Sequence, residues 1–151
     1  AGDADATFLA LAGLKRMGLE GRAASLIDPQ ETPPAACQGA IAITTRSDDA
    51  RVLGALAKCE NNDARIEIEA ERAFLDALDG SCRTPIGALA RVSGAQLVFI
   101  GETLKPDGTQ RWRRDATIAL SGDAITIAQT LGHRLGHEIR DEAGDAIVLD
   151  T

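Results

Sequence analysis

The sequence predicts an α/β protein of the α+β type: a three-stranded antiparallel sheet with helices packed on one face, preceded by strand–helix pieces. Three observations carry this. Residues 86–120 hold three strand-like runs parted by the turn signals Ser93-Gly94 and Pro106-Asp107-Gly108, and an antiparallel meander joins them most economically. Two apolar stripes at helical spacing flank that block. A proline-rich break, Asp28-Pro29-Gln30-Glu31-Thr32-Pro33-Pro34, sets all of this apart from a first section, because proline removes donors and restricts its predecessor.

Taken in order, residues 6–12 read as a buried strand, and Ala12–Leu19 as a turn entering a short helix that packs Leu14, Met17 and Leu19. A strand that opens with nothing before it needs neighbours from elsewhere, so the chain reads as a fragment. After the break, Gln38–Thr45 reads as a second strand. Ser47-Asp48-Asp49 then caps a helix to about Ala57, with Val52, Leu53 and Leu56 inward. Asn61-Asn62-Asp63 is the next cap, and Ile66, Ala70, Ala73, Phe74 and Ala77 form one stripe of the helix it starts. Glu67, Glu69, Glu71 and Arg72 fall on other faces and read as a solvated surface. That helix meets a glycine stop at Gly80. The strands Ile86–Val92, Gln96–Thr103 and Gln110–Leu120 follow, with Arg111, Arg113 and Arg114 alternating about Trp112 on a sheet with one wet face. Ser121-Gly122-Asp123 opens a last helix in which Ile127, Ala128, Leu131, Leu135 and Ile139 share a face, and Ala146–Leu149 reads as a short final strand. Residues 62–151 thus make a two-layer unit with its own core.

Composition narrows the function. A net charge of −7 and 3% aromatic residues argue against nucleic acid, which demands a basic face and stacking platforms. No apolar run is long enough for a membrane span, since Ala4–Leu14 meets Lys15-Arg16. Three cysteines give no disulfide framework and fit a reducing cytoplasm. His133 and His137 sit four apart on one helical face. Zinc could use such a pair, but the zincin glutamate is missing between them and surface histidines are the better reading. No glycine triplet follows a strand to open a helix, and no serine, histidine and aspartate stand in triad order.

Cys82 remains. It stands between a helix and a proline-led strand, in Leu78-Asp79-Gly80-Ser81-Cys82-Arg83-Thr84-Pro85-Ile86-Gly87. A thiol on a short loop between rigid elements is reachable and fixed in direction, as covalent attachment needs. An unpaired cysteine is also commonly a packed, small hydrophobe, and the chain would then be a non-catalytic α/β interaction module.

The stretch around Cys82 resembles the cysteine loop of the porphobilinogen deaminase (hydroxymethylbilane synthase) family, Gly-Gly-Cys, a variable pair, then Pro-Ile-Gly, with Ser81 in place of the second glycine. Three more blocks resemble that family in order and spacing: Leu11–Leu19, Pro34–Ala40 and Ala70–Leu75. The resemblance implies the C-terminal half of a three-domain cytoplasmic transferase. Residues 1–33 would end the middle domain, 34–61 would return to the first domain and add a linker, and 62–151 would be the cofactor-carrying domain. It implies that Cys82 holds a dipyrromethane cofactor through a thioether, as the primer onto which porphobilinogen is joined with release of ammonia. A covalent anchor keeps a growing anionic chain from diffusing away between additions. Arg16 matches a family arginine facing the cleft, suited to acetate and propionate arms, and Gly13 and Gln38 match positions lining the cofactor or cleft. Cys37 stands where the family has glycine, which predicts an altered hinge. The family's catalytic aspartate belongs to the first domain, outside these residues. The chain alone is therefore expected to be inactive. The parent is expected to be a monomer, while the isolated chain pairs through exposed edges.

Overall fold

The structure is a computed structural model that describes residues 4–80 and 84–147. In chain order it holds α1 (Leu11–Arg16), a 3₁₀ turn (Glu20–Arg22), α2 (Ala50–Leu56), α3 (Asn62–Ala77), β1 (Ile86–Ser93), β2 (Gln96–Leu104), β3 (Arg111–Ala119), α4 (Ala124–Ala143) and a last 3₁₀ turn (Gly144–Ile147).

Local chemistry explains each boundary of the second half. The Asn61 carboxamide accepts from Ala64 N–H and starts α3, and the Asp123 carboxylate accepts from Ile125 and Thr126 N–H and starts α4. Ser93 pairs with Gln96 across a two-residue hairpin in which Gly94 takes φ 59°, the positive value such turns demand of their first residue. Asp107 closes the next turn by accepting from Thr109 N–H and its hydroxyl. The sheet is an antiparallel meander in the order β1-β2-β3.

Both long helices lie on one face of this sheet. Ala70, Phe74 and Leu78 of α3 meet Ala128, Leu131, Leu135 and Ile139 of α4 above Ala88, Ala90, Leu97, Phe99 and Trp112. Phe74 and Phe99 stack edge to face at 5.4 Å. The helices touch through small residues: a Cβ on Gly132 would lie 2.2 Å from the Ala70 carbonyl oxygen, and one on Gly136 2.6 Å from Ala77 Cβ. On the other face Glu102 is buried between Arg111 and Arg113, and Arg113 also grips Asp115. Arg114 turns towards α4 and pairs with Glu138 and Glu142.

The predicted α+β unit is therefore present, and the strands of the first section are not. Residues 6–10 and 38–45 form no strand, and Phe8 (83% exposed) and Ile41 (92%) find nothing to cover them. A strand needs a neighbour for its backbone groups, and among the described residues these two runs have none. Met17 is exposed rather than packed, and Val52, Leu53 and Leu56 of α2 reach no core. Ala146 and Ile147 belong to the 3₁₀ turn rather than to a strand, with Ile147 buried in the core cluster.

Candidate functional site

Cys82 and its neighbours Ser81 and Arg83 lie outside the described residues, but both ends of their loop are described. At the leading end α3 closes in a Schellman arrangement. Gly80 N–H donates to the Leu75 carbonyl at 2.9 Å, and Asp79 N–H to the Asp76 carbonyl at 3.0 Å. The left-handed residue is Asp79 (φ 50°), not the glycine expected to stop the helix. Gly80 is needed for space, since a Cβ there would come within 2.3 Å of Leu75 Cδ1 and 2.7 Å of Ile86 Cδ1. Arg140 reaches across from α4, donates to the Ala77 carbonyl at 3.2 Å and pairs with the Asp79 carboxylate. It thus satisfies one of the free carbonyls that end every helix. At the trailing end the Pro85 carbonyl accepts from Leu104 N–H, and Ile86 begins β1. The described ends on either side of Cys82 are thus both held.

Gln38 sits on a segment tied to this same unit. Pro34 O accepts from Ala88 N–H at 2.9 Å, Ala35 bridges Gly87, and Arg111 donates to Glu31 O at 3.3 Å. Gly87 has no room for a side chain, because a Cβ would lie 2.7 Å from Pro33 O. Cys37 takes φ 64°, a left-handed value that favours glycine, so its backbone keeps the conformation that the family glycine suits. Its N–H donates to Glu71 Oε2 at 2.7 Å, and its thiol points to the Ile68 carbonyl at 3.9 Å. Gln38 itself is exposed.

Glu71 corrects the reading of α3's charges as a solvated surface. It is 7% exposed, and its other oxygen accepts from Ala90 N–H at 2.8 Å. Glu67, one turn earlier, accepts from Val92 N–H at 2.9 Å. Burial pushes the Glu71 carboxyl pKa up, although both N–H donors and Arg91 favour its charge. Burial first, and then the charge of Glu71, raises the Cys37 thiol above its usual value. Sequence reasoning passed over Glu71, yet it stands three residues before Phe74 and seven before Leu78, on a helical row that becomes core. Arg140 was also missed, and its only signal was a cation in the last turn of α4.

The remaining predicted residues are not brought to this cluster. Gly13 and Arg16 lie on α1, whose neighbour is the adjoining 3₁₀ turn, and no described hydrogen bond or ion pair joins them to Gln38 or to α3. Arg16 is exposed, and a Cβ on Gly13 would meet nothing within 4 Å. His133 is half-buried and His137 exposed, with ring centroids 6.2 Å apart. Among the described residues no three His, Cys, Asp or Glu side chains gather as a metal would need. No described helix is long and apolar enough to cross a membrane. An open groove of about 530 Å³ runs between α3 and α4 to Gly80, lined by Glu69, Arg72, Asp76, Gln129 and His133.

The chain matches two family models. Residues 65–141 match porphobilinogen deaminase, C-terminal domain, and residues 1–54 match porphobilinogen deaminase, dipyromethane cofactor binding domain. The porphobilinogen deaminase of Caulobacter vibrioides (strain NA1000 / CB15N) is 48% identical over 151 residues, covering 98% of this chain and 46% of the relative. That of Phenylobacterium zucineum is 47% identical over 152 residues, 99% of this chain and 47% of the relative. That of Nitrobacter hamburgensis is 43% identical over 145 residues, 96% and 44% respectively. The chain thus spans about half the length of the curated relatives it matches.

Proposed function

Because the chain belongs to the porphobilinogen deaminase family, we propose that it carries the cofactor anchor of a cytoplasmic hydroxymethylbilane synthase, with Cys82 as the thioether attachment point. On this reading residues 1–33 end a middle domain, 34–61 return to a first domain, and 62–151 are the cofactor-carrying domain. The observation that carries it is the pair of fixed ends around the tether loop, the Arg140-clamped α3 terminus and the start of β1. Such anchoring limits where a thiol can travel, which a repeated joining reaction at one centre requires.

The side-chain chemistry suits an anionic dipyrromethane, although Gly13 and Arg16 on α1 are not brought beside Gln38. Arg16 offers a guanidinium that makes no ion pair among the described residues, Gln38 offers an exposed amide, and Gly13 leaves open space for a ligand to approach the backbone. When bound, the cofactor supplies the primer to which porphobilinogen is joined as ammonia leaves. Cys82 fixes it in place, Arg16 neutralises carboxylate arms, and Gln38 donates a hydrogen bond. The proton-transfer group is not among these residues, so the 151-residue chain alone does not turn over porphobilinogen.

Intact-mass measurement of the full-length protein tests this. The wild type is expected to carry one dipyrromethane, and Cys82→Ser none. A wild-type protein of bare mass, or a loaded Cys82→Ser variant, overturns the assignment.

A further inference from the structure

We propose that Glu71 is a positioning residue that holds the Gln38 loop against α3 and β1, through a clasp that uses both of its carboxylate oxygens. The proposal rests on the reading of Cys82 and Gln38 given above. Oε1 accepts from Ala90 N–H of β1 and Oε2 from Cys37 N–H, the residue before Gln38. Just past the end of the same helix, Asp79 and Gly80 donate to the Asp76 and Leu75 carbonyls. One rigid 16-residue rod therefore carries the clasp on the Gln38 loop and fixes the described residues that lead towards Cys82.

The chemistry singles out a carboxylate. Two N–H donors converge on one side chain, and only a group with two acceptor oxygens serves both. A glutamine there offers one acceptor and turns an NH₂ towards the second donor. Glu67 differs, because only its Oε1 meets a backbone donor, that of Val92, and a glutamine can replace it. Cys37 is also where the ties to this unit end: Ala40 N–H bonds back to Cys37 O, and no described hydrogen bond links residues 39–49 to α3, α4 or the sheet.

Hydrogen exchange and steady-state kinetics on the full-length protein test this together. Glu71→Gln is expected to speed exchange of the Cys37 or the Ala90 amide, whichever donor faces the glutamine NH₂, by about ten- to a hundredfold, the effect of leaving a donor unpaired. The amides of Leu97 and Phe99 should be unchanged, and Glu67→Gln should leave Cys37 at its wild-type rate. Wild-type rates at both the Cys37 and the Ala90 amides in Glu71→Gln overturn the clasp. If Glu71→Gln does not fold, the wild-type Cys37 amide decides, and exchange as fast as that of Gly39 is the overturning result. Glu71→Gln should also raise KM for porphobilinogen about tenfold while kcat stays within about twofold, a split that general destabilisation does not produce. An unchanged KM beside faster Cys37 exchange overturns the positioning role. A wild-type protein without dipyrromethane on Cys82 overturns the underlying reading instead, and its mass shows this before any variant is made.

Discussion

Gly132→Ala places a methyl group where α3 and α4 already touch. Its Cβ would stand 2.2 Å from the Ala70 carbonyl oxygen and 2.9 Å from both Ala73 Cβ and Phe74 N. Carbon and carbonyl oxygen settle no closer than about 3.3 Å, so the helices must part by roughly 1 Å at the crossing. A gap of that size forfeits about a quarter to a half of the dispersion attraction across it. Overpacking of this kind costs up to about 3 kcal/mol, and alanine returns about 1 kcal/mol through its better helix propensity. The net loss is about 2 kcal/mol, which for a unit of this size lowers Tm by about 10 °C. Thermal unfolding followed by circular dichroism reads this directly. Gly54→Ala on α2 is the control, since its Cβ meets nothing within 4 Å, and it should hold or raise Tm through helix propensity alone. A Gly132→Ala protein that melts at or above the wild-type temperature would refute the close crossing.

Other outcomes follow from the same contacts. The raised Glu71 pKa means that the folded state holds its proton more tightly than the unfolded chain, so this stabilisation is full below about pH 4.5 and fades as pH rises through the folded value. Urea midpoints of wild type should accordingly gain on those of Glu71→Gln between pH 7 and pH 4.5, and parallel curves would contradict this. Half-buried and raised in pKa, Cys37 should react with iodoacetamide at pH 7.5 more slowly than exposed Cys59, as mass mapping would show; equal rates would contradict its burial. Cys37→Gly should hold or raise stability, since relief of the left-handed strain, about 1–2 kcal/mol, exceeds the added chain entropy of glycine; a fall beyond about 1 kcal/mol would show the thiol contact to matter more. Arg140→Met strips the clamp from the end of α3 and should speed exchange at Gly80 N–H at least several-fold; an unmoved rate would mean the Schellman bonds suffice alone.

Legibility in the sequence followed where each segment's partners lie. The unit from Asn62 onward was readable because its stripes, caps and turns all point inward to one another, and strands such as Gln96–Leu104 fall within a residue of expectation. The runs at 6–12 and 38–45 were read as strands, yet residues 6–10 and 38–45 have no described neighbour to pair with and Leu11 opens α1. Glu71 was misread for a different reason: helical periodicity marks a face, but only tertiary packing reveals that a carboxylate beside the stripe meets two backbone donors. Asp79 takes the left-handed position expected of Gly80, and Gly80 fills a crowded one instead, because crowding by Leu75 and Ile86 has no trace in local sequence.

The outer margin of β1 has one more consequence. Its four outward N–H groups, at Ile86, Ala88, Ala90 and Val92, are taken by Thr84 O, Pro34 O, Glu71 and Glu67. A border whose outward donors are all taken offers a stray polypeptide only part of a ladder to zip onto, and fibrous growth gains less of a foothold there. Ribosomal order adds to the protection. Both glutamates and the proline are made before the strand they guard, so they are at hand when β1 emerges.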